Sequence, residues 1–123
     1  SHIQLIKLTK NKYMNQIEKI LKKEVTDADK INLYLLQDGL LVFDYSAYYA
    51  TLLYPDLVVR RGESKVEGAF VYIYLPNEFL LSVSEQYPTL VSDDCILITL
   101  PETISCQRDR FKNWKEQQLN VTS

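Results

Sequence analysis

A chain of 123 residues with 46% apolar and 24% charged side chains has the size and composition of one globular domain, read here as spanning 1–123. Its net charge of −2 argues against nucleic acid as the first partner to suppose, and its three glycines, Gly39, Gly62 and Gly68, lie too far apart for a phosphate-cradling loop. The single histidine, His2, belongs to a Ser1-His2 start that reads as a tag remnant or a native terminus, and offers no basis for a Ser-His-Asp, Cys-His or His-ligated metal site.

The amino terminus, "SHIQLIKLTK", has no hydrophobic run ending in a small-residue cleavage site, and no apolar run is long enough to span a bilayer. A cytoplasmic protein without membrane association is expected. Residues 3–8, "IQLIKL", read as a short strand. "KYMNQIEKILKKEV" then sets Met14, Ile17, Leu21 and Val25 at helical spacing with lysines opposite, the clearest amphipathic helix in the chain.

"INLYLL" and "LLVFDY" flank "QDG", and Asp-Gly between two apolar runs is a strong hairpin signal. Unbroken apolarity in both runs predicts a sheet covered on both faces. Asp44 ends the second run and reads as a helix-start residue favoured by the positive end of the helix dipole. Ser46 is a candidate cap for a helix over 47–54, which Pro55 ends.

The stretch "YSAYYATLLYP" at 45–55 overlaps that helix and holds Tyr45, Tyr48, Tyr49 and Tyr54 and no charge; read as a strand, it has two alternating faces that are both apolar or aromatic. Tyr45, Tyr48, Tyr49, Leu52 and Leu53 share one helical face, and Ser46, Ala47, Ala50, Thr51 and Tyr54 the other. A surface helix has a polar side and this one lacks it. The four tyrosines are therefore the candidate binding residues, one face packing inward and the other left for a second copy or another protein.

"LVVRR" and "AFVYIYL" predict a second hairpin around "GESKVEG". The same region, "PDLVVRRGESK", superficially matches a Pro-Asp followed by Glu-x-Lys, in which Asp56 and Glu63 would bind a divalent metal and Lys65 would stabilise phosphate charge, as in metal-dependent nucleases. A two-residue turn at Arg61-Gly62 separates Asp56 from Glu63 by about 13 Å along the strands, too far to share a metal. An alternating solvated face of Asp56, Arg60, Glu63, Lys65 and Glu67 is the simpler reading.

"PNEFLLSVSEQYP" predicts a helix capped at Asn77 and stopped by Pro88, with Phe79, Leu80 and Val83 on one face. "CILITL" is a buried strand ended by Pro101. Its Cys95, with Cys106, reads as one of two free, mostly buried thiols in a reducing compartment, one disulfide in an exported protein being the alternative. Burial predicts a slow-reacting Cys95. A last helix from about Ile104 to Leu119 carries Phe111 and Trp114 among Arg108, Arg110, Lys112 and Lys115. Bases interleaved with aromatics suit single-stranded nucleic acid, although a helix docked on the sheet accounts for the same spacing. "NVT" at 120–122 fits a glycosylation acceptor in a tail over 120–123.

Charge is unevenly placed. Residues 1–30 carry seven lysines against four acids, whereas 66–107 carry six acids (Glu67, Glu78, Glu85, Asp93, Asp94, Glu102) and no Lys or Arg. The expected fold is one α/β (α+β) domain with a mixed sheet of five or six strands and three or four packed helices. The expected function is non-catalytic protein–protein interaction, as an adaptor, assembly subunit or binding inhibitor, with no cofactor, no metal and another protein or a second copy as partner. A metal-dependent nuclease around Asp56, Glu63 and Lys65 is the alternative, and a nucleic-acid binder using the terminal basic helices the third reading.

Overall fold

The computed structural model describes residues 14–27, 29–36, 39–92 and 95–120. The predicted strand at 3–8, the Ser1-His2 start, the Gln37-Asp38 turn, the Asp93-Asp94 pair and the tail from 121 lie outside the described residues.

Among the described residues six strands form one sheet, in the order β3-β4-β2-β1-β6-β5: β1 (Lys30–Leu36), β2 (Gly39–Phe43), β3 (Arg60–Ser64), β4 (Gly68–Leu75), β5 (Thr89–Val91) and β6 (Cys95–Thr99). The sheet is three hairpins side by side, β1/β2, β3/β4 and β5/β6. The expected α+β domain is present, but every pairing is antiparallel rather than mixed. Chain order explains this, since strands consecutive in sequence return on each other and single helices connect one hairpin to the next.

Those helices are α1 (Met14–Thr26) before the first hairpin, α2 (Asp44–Leu53) after it, α3 (Asn77–Gln86) after the second, then α4 (Glu102–Ser105), a 3₁₀ segment (Cys106–Arg110) and α5 (Phe111–Leu119). Both sheet faces are covered, as the unbroken apolar runs predict. On one face Ile31, Leu33, Val42, Val71, Ile73 and Ile98 meet Ala47, Tyr49 and Ala50 of α2, Phe79 and Val83 of α3, and Phe111 of α5. On the other, Tyr34, Leu41, Phe43, Phe70 and Tyr72 meet Ile17, Ile20 and Leu21 of α1.

The α1 face of this second core is not the predicted stripe. Ile17, Ile20, Leu21 and Glu24 are buried, while Val25 is exposed. A glutamate at a core position is invisible to a hydrophobic pattern, so the stripe closes one residue late in the sequence reading. The single terminal helix expected over 104–119 is broken by the 3₁₀ segment, whose tighter winding carries the Gln107 carbonyl to the Tyr48 hydroxyl, 3.1 Å away.

The β3/β4 turn also differs from the simplest register. Gly62 lies within β3 opposite Phe70, and the turn falls at 65–67, closed by Gly68 at φ 81°. A three-residue turn ending in a left-handed glycine is a common hairpin closure. Ser64 fixes it: its Oγ accepts the Val66 and Glu67 N–H groups at 3.1 and 3.0 Å and donates to Glu18 of α1 at 2.6 Å. Gly62 is needed for a different reason. A Cβ there would come within 2.4 Å of the Phe70 ring, itself buried against Phe43 and Tyr72. Gly62→Ala is therefore expected to destabilise the fold by about 1–3 kcal/mol in urea unfolding, the cost of overpacking a filled core.

Candidate functional site

Tyr45, Tyr48 and Tyr49 lie in α2, which begins at Asp44, three residues before the expected start, and Tyr54 is the residue that ends it. Tyr48 and Tyr49 are 3% and 0% exposed, and Tyr45 and Tyr54 are half-buried. Tyr45 stacks on Phe111 with centroids 3.8 Å apart and carries the Arg108 guanidinium 3.8 Å above its ring. Tyr48 packs against Trp114, and its hydroxyl donates to the Gln107 carbonyl. Tyr54 packs against Phe79, and its hydroxyl hydrogen-bonds Ser82 of α3. Burial pushes the Tyr49 hydroxyl above its ordinary range, opposed by the adjacent Arg108.

The expectation of an uncovered aromatic face therefore fails at Tyr48 and Tyr49. The side that lacks charge is covered from within the chain, by α3 at one end of α2 and by the 3₁₀ segment and α5 along its flank. The same contacts employ two of the four bases in "RDRFKNWKE". Arg108 Nη2 donates to the Val25 carbonyl at 2.6 Å, and Lys115 pairs with Asp44 at 3.2 Å. Arg110 and Lys112 remain exposed.

Asp44 sits where β2 becomes α2, at φ 42°, a left-handed conformation that an L-residue adopts at a cost. Its side chain shows why it is tolerated. Oδ1 accepts the Val71 N–H at 3.1 Å, so the carboxylate continues the β2–β4 ladder after the backbone has turned away. Burial raises its pKa, opposed by Lys115 and the Val71 N–H.

Beside it lies the feature that the sequence reading missed. Glu24 of α1 is 1% exposed, and no cation among the described residues reaches it. Its Oε1 accepts the Ser46 N–H at 2.8 Å, serving an amide in the first turn of α2, and its Oε2 accepts from Asn32 Nδ2 at 3.2 Å. Ser46 Oγ is 2.8 Å from both carboxyl oxygens and also accepts the Asn32 N–H at 2.9 Å. One hydroxyl proton cannot serve two oxygens at full strength. A neutral carboxylic acid closes both contacts, with the hydroxyl donating to one oxygen and the acid proton returning to Oγ. Burial drives the same way and raises the Glu24 pKa to about 8.

The alternative nuclease residues are not assembled. Asp56 is in the turn after α2, Glu63 in β3 and Lys65 in the β3/β4 turn, all exposed, and Asp56 is outside the hairpin ladder. Among the described residues no three His, Cys, Asp or Glu side chains gather as a metal site. Cys95 is buried as expected, with Lys23 Nζ 3.8 Å from its Sγ, whereas Cys106 is exposed because the 3₁₀ segment turns it outward. Both thiols are free. Gln16, Lys19, Ile20, Lys23, Tyr34 and Cys95 line an open cleft of about 300 Å³ between α1 and the β1–β6 pair.

Among the exposed large apolar side chains, which also include Val25, Leu35, Val58, Val66 and Leu81, two are adjacent on an edge of the sheet. β5 is outermost, and Leu90 and Val91 on it are 63% and 72% exposed. Three residues long, β5 has no periodicity from which to be predicted. No helix among the described residues is long and apolar enough to cross a membrane. No protein-family model, curated protein or solved structure matches the chain.

The buried acid makes stability depend on pH. The folded-state pKa of about 8 exceeds the ordinary value of 4.5, so the folded chain holds a proton that the unfolded chain releases between those values. Glu24's contribution is complete below about pH 4.5 and declines as pH rises to 8, by up to about 1.4 kcal/mol per pH unit. Urea unfolding from pH 5 to 9 is expected to show that decline, and Glu24→Gln to flatten it. Asn32 Oδ1, which has no partner, can turn to accept from the new amide.

Proposed function

We propose that this chain is a non-catalytic protein-interaction module, an adaptor, assembly subunit or binding inhibitor, whose contact surface is the β5 edge. The observation that carries the reading is the pair Leu90 and Val91, large apolar side chains 63% and 72% exposed on the outermost strand. Exposed apolar surface on an open edge is a docking platform in many proteins and an aggregation hazard in others, so its presence on a folded domain favours a partner.

The chemistry-bearing side chains fit a scaffold role. Glu24, Ser46, Asp44 and Lys115 are hydrogen-bonded to one another or to backbone within the fold. Of the tyrosines proposed as binding residues, the half-buried Tyr45 and Tyr54 retain surface for a contact, whereas Tyr48 and Tyr49 support the helix that carries them. Two free thiols suit a reducing, intracellular compartment.

Capture from native lysate tests the reading. The wild-type chain is expected to retain a protein in near-stoichiometric amount. The Leu90→Asp/Val91→Asp double variant is expected to lose it, at a cost of about 2 kcal/mol in association, while unfolding within about 0.5 kcal/mol of wild type. Equal retention by both would remove β5 from the reading, and retention by neither would remove the reading.

A further inference from the structure

The backbone of β5 specifies how a partner would be held. The Ser92 N–H donates to the Cys95 carbonyl at 3.0 Å, and the Thr99 N–H to the Pro88 carbonyl at 2.9 Å. Residues alternate along an antiparallel ladder, so Leu90 shares the phase of Pro88 and Ser92 and turns its backbone groups to β6. Thr89 and Val91 turn theirs outward, where no described strand lies. Side chains alternate too. Leu90 is opposite Leu97 on the α1 face, and Val91 is opposite Ile96 on the α3 face, so an added strand would find apolar contact on both faces.

Charge distinguishes the two edges. The β3 edge carries exposed Arg60, Arg61 and Glu63, the kind of charged residue that protects an edge from pairing. The β5 edge has no such residue, and the stretch that builds it, 66–107, contains acids and no base. Glu85 in the last turn of α3 and Glu102 at the start of α4 are exposed on either side of the β5/β6 hairpin in sequence. Lys23 and Lys30 approach β6 from the α1 and β1 side, the first at Cys95 Sγ and the second tied to Asp29 at 3.2 Å.

The geometry points to one occupant: an extended, basic segment of a partner protein that adds to β5 as a further strand, bonding the outward groups of Thr89 and Val91. This rests on the interaction reading and names its mode and the partner's chemistry. β-strand addition of this kind takes affinity from main-chain bonds and specificity from alternate side chains.

The probe is a capped hexapeptide alternating Val and Lys, compared with its Val/Glu counterpart by fluorescence anisotropy on the whole chain. The Val/Lys peptide is expected to bind at least tenfold tighter, and its binding to weaken as salt is raised. Val91→Pro removes an outward N–H without touching the β6 ladder, and Val91→Lys sets a like charge against the peptide on an intact backbone. Each is expected to reduce binding at least tenfold.

No binding of the Val/Lys peptide, equal binding of both peptides, or binding unchanged in Val91→Lys would overturn the proposal. A partner captured from lysate and lost in the Leu90→Asp/Val91→Asp variant, with no peptide binding, would overturn the basic-strand mode alone and leave the interaction reading standing.

Discussion

A carboxyl group with no cation beside it among the described residues, sealed between three elements, organises this fold. Glu24 joins the only described helix on one face of the sheet to the central helix on the other, and it does so through Asn32 and Ser46, beyond the end of the β1–β2 pairing at Tyr34 and Leu41. An ionised carboxylate in such a place would carry a large desolvation penalty, which neutralisation avoids. Replacing the glutamate by an alanine would leave the Ser46 amide buried without its acceptor. The position thus combines a polar requirement with a volume requirement, and few side chains meet both.

The junction next to it follows from the same placement. β2 cannot run on, because its next residue must start α2 over the sheet, yet Val71 on β4 still needs an acceptor. Asp44 resolves the conflict by turning its backbone left-handed and offering its carboxylate in place of a strand carbonyl, with Lys115 from α5 balancing the charge. α2 then lies so close to the sheet that Ala47 and Ala50 face it, and the bulky tyrosines fill the space toward α3 and α5. The absence of charge after Asp44 is explained by the helix's central position, with neighbours on each side.

Much of this was legible in the sequence. The first hairpin followed from two apolar runs around Asp-Gly, and α3 from Pro76-Asn77 and Pro88, which bracket it. The double-sided core followed from strands without polar alternation. What was not legible depended on long-range partners. Val25 looked apolar enough for the core, and Glu24 did not, because the Ser46 and Asn32 groups that donate to Glu24 lie in other elements. The tyrosine segment misled for a related reason: pattern shows that a face is apolar, not which neighbour covers it. The Arg61-Gly62 turn was misjudged because glycine signals both bends and close approaches, and here Phe70 requires the second.

The three-hairpin plan also ranks the steps by which the sheet is assembled. β1/β2 and β3/β4 each close over a short loop, and β2 reaches β4 across a single helix. The pairing of Lys30 with Thr99 must instead bring together residues separated by nearly all of the sheet. Loop-closure entropy grows with that separation, so the β1–β6 seam carries the largest closure cost among the described strand pairings. During synthesis the first four strands emerge before β6 exists, leaving β1 as a temporary edge. Until the last hairpin docks, the chain displays a longer and more apolar border than the one it finally keeps.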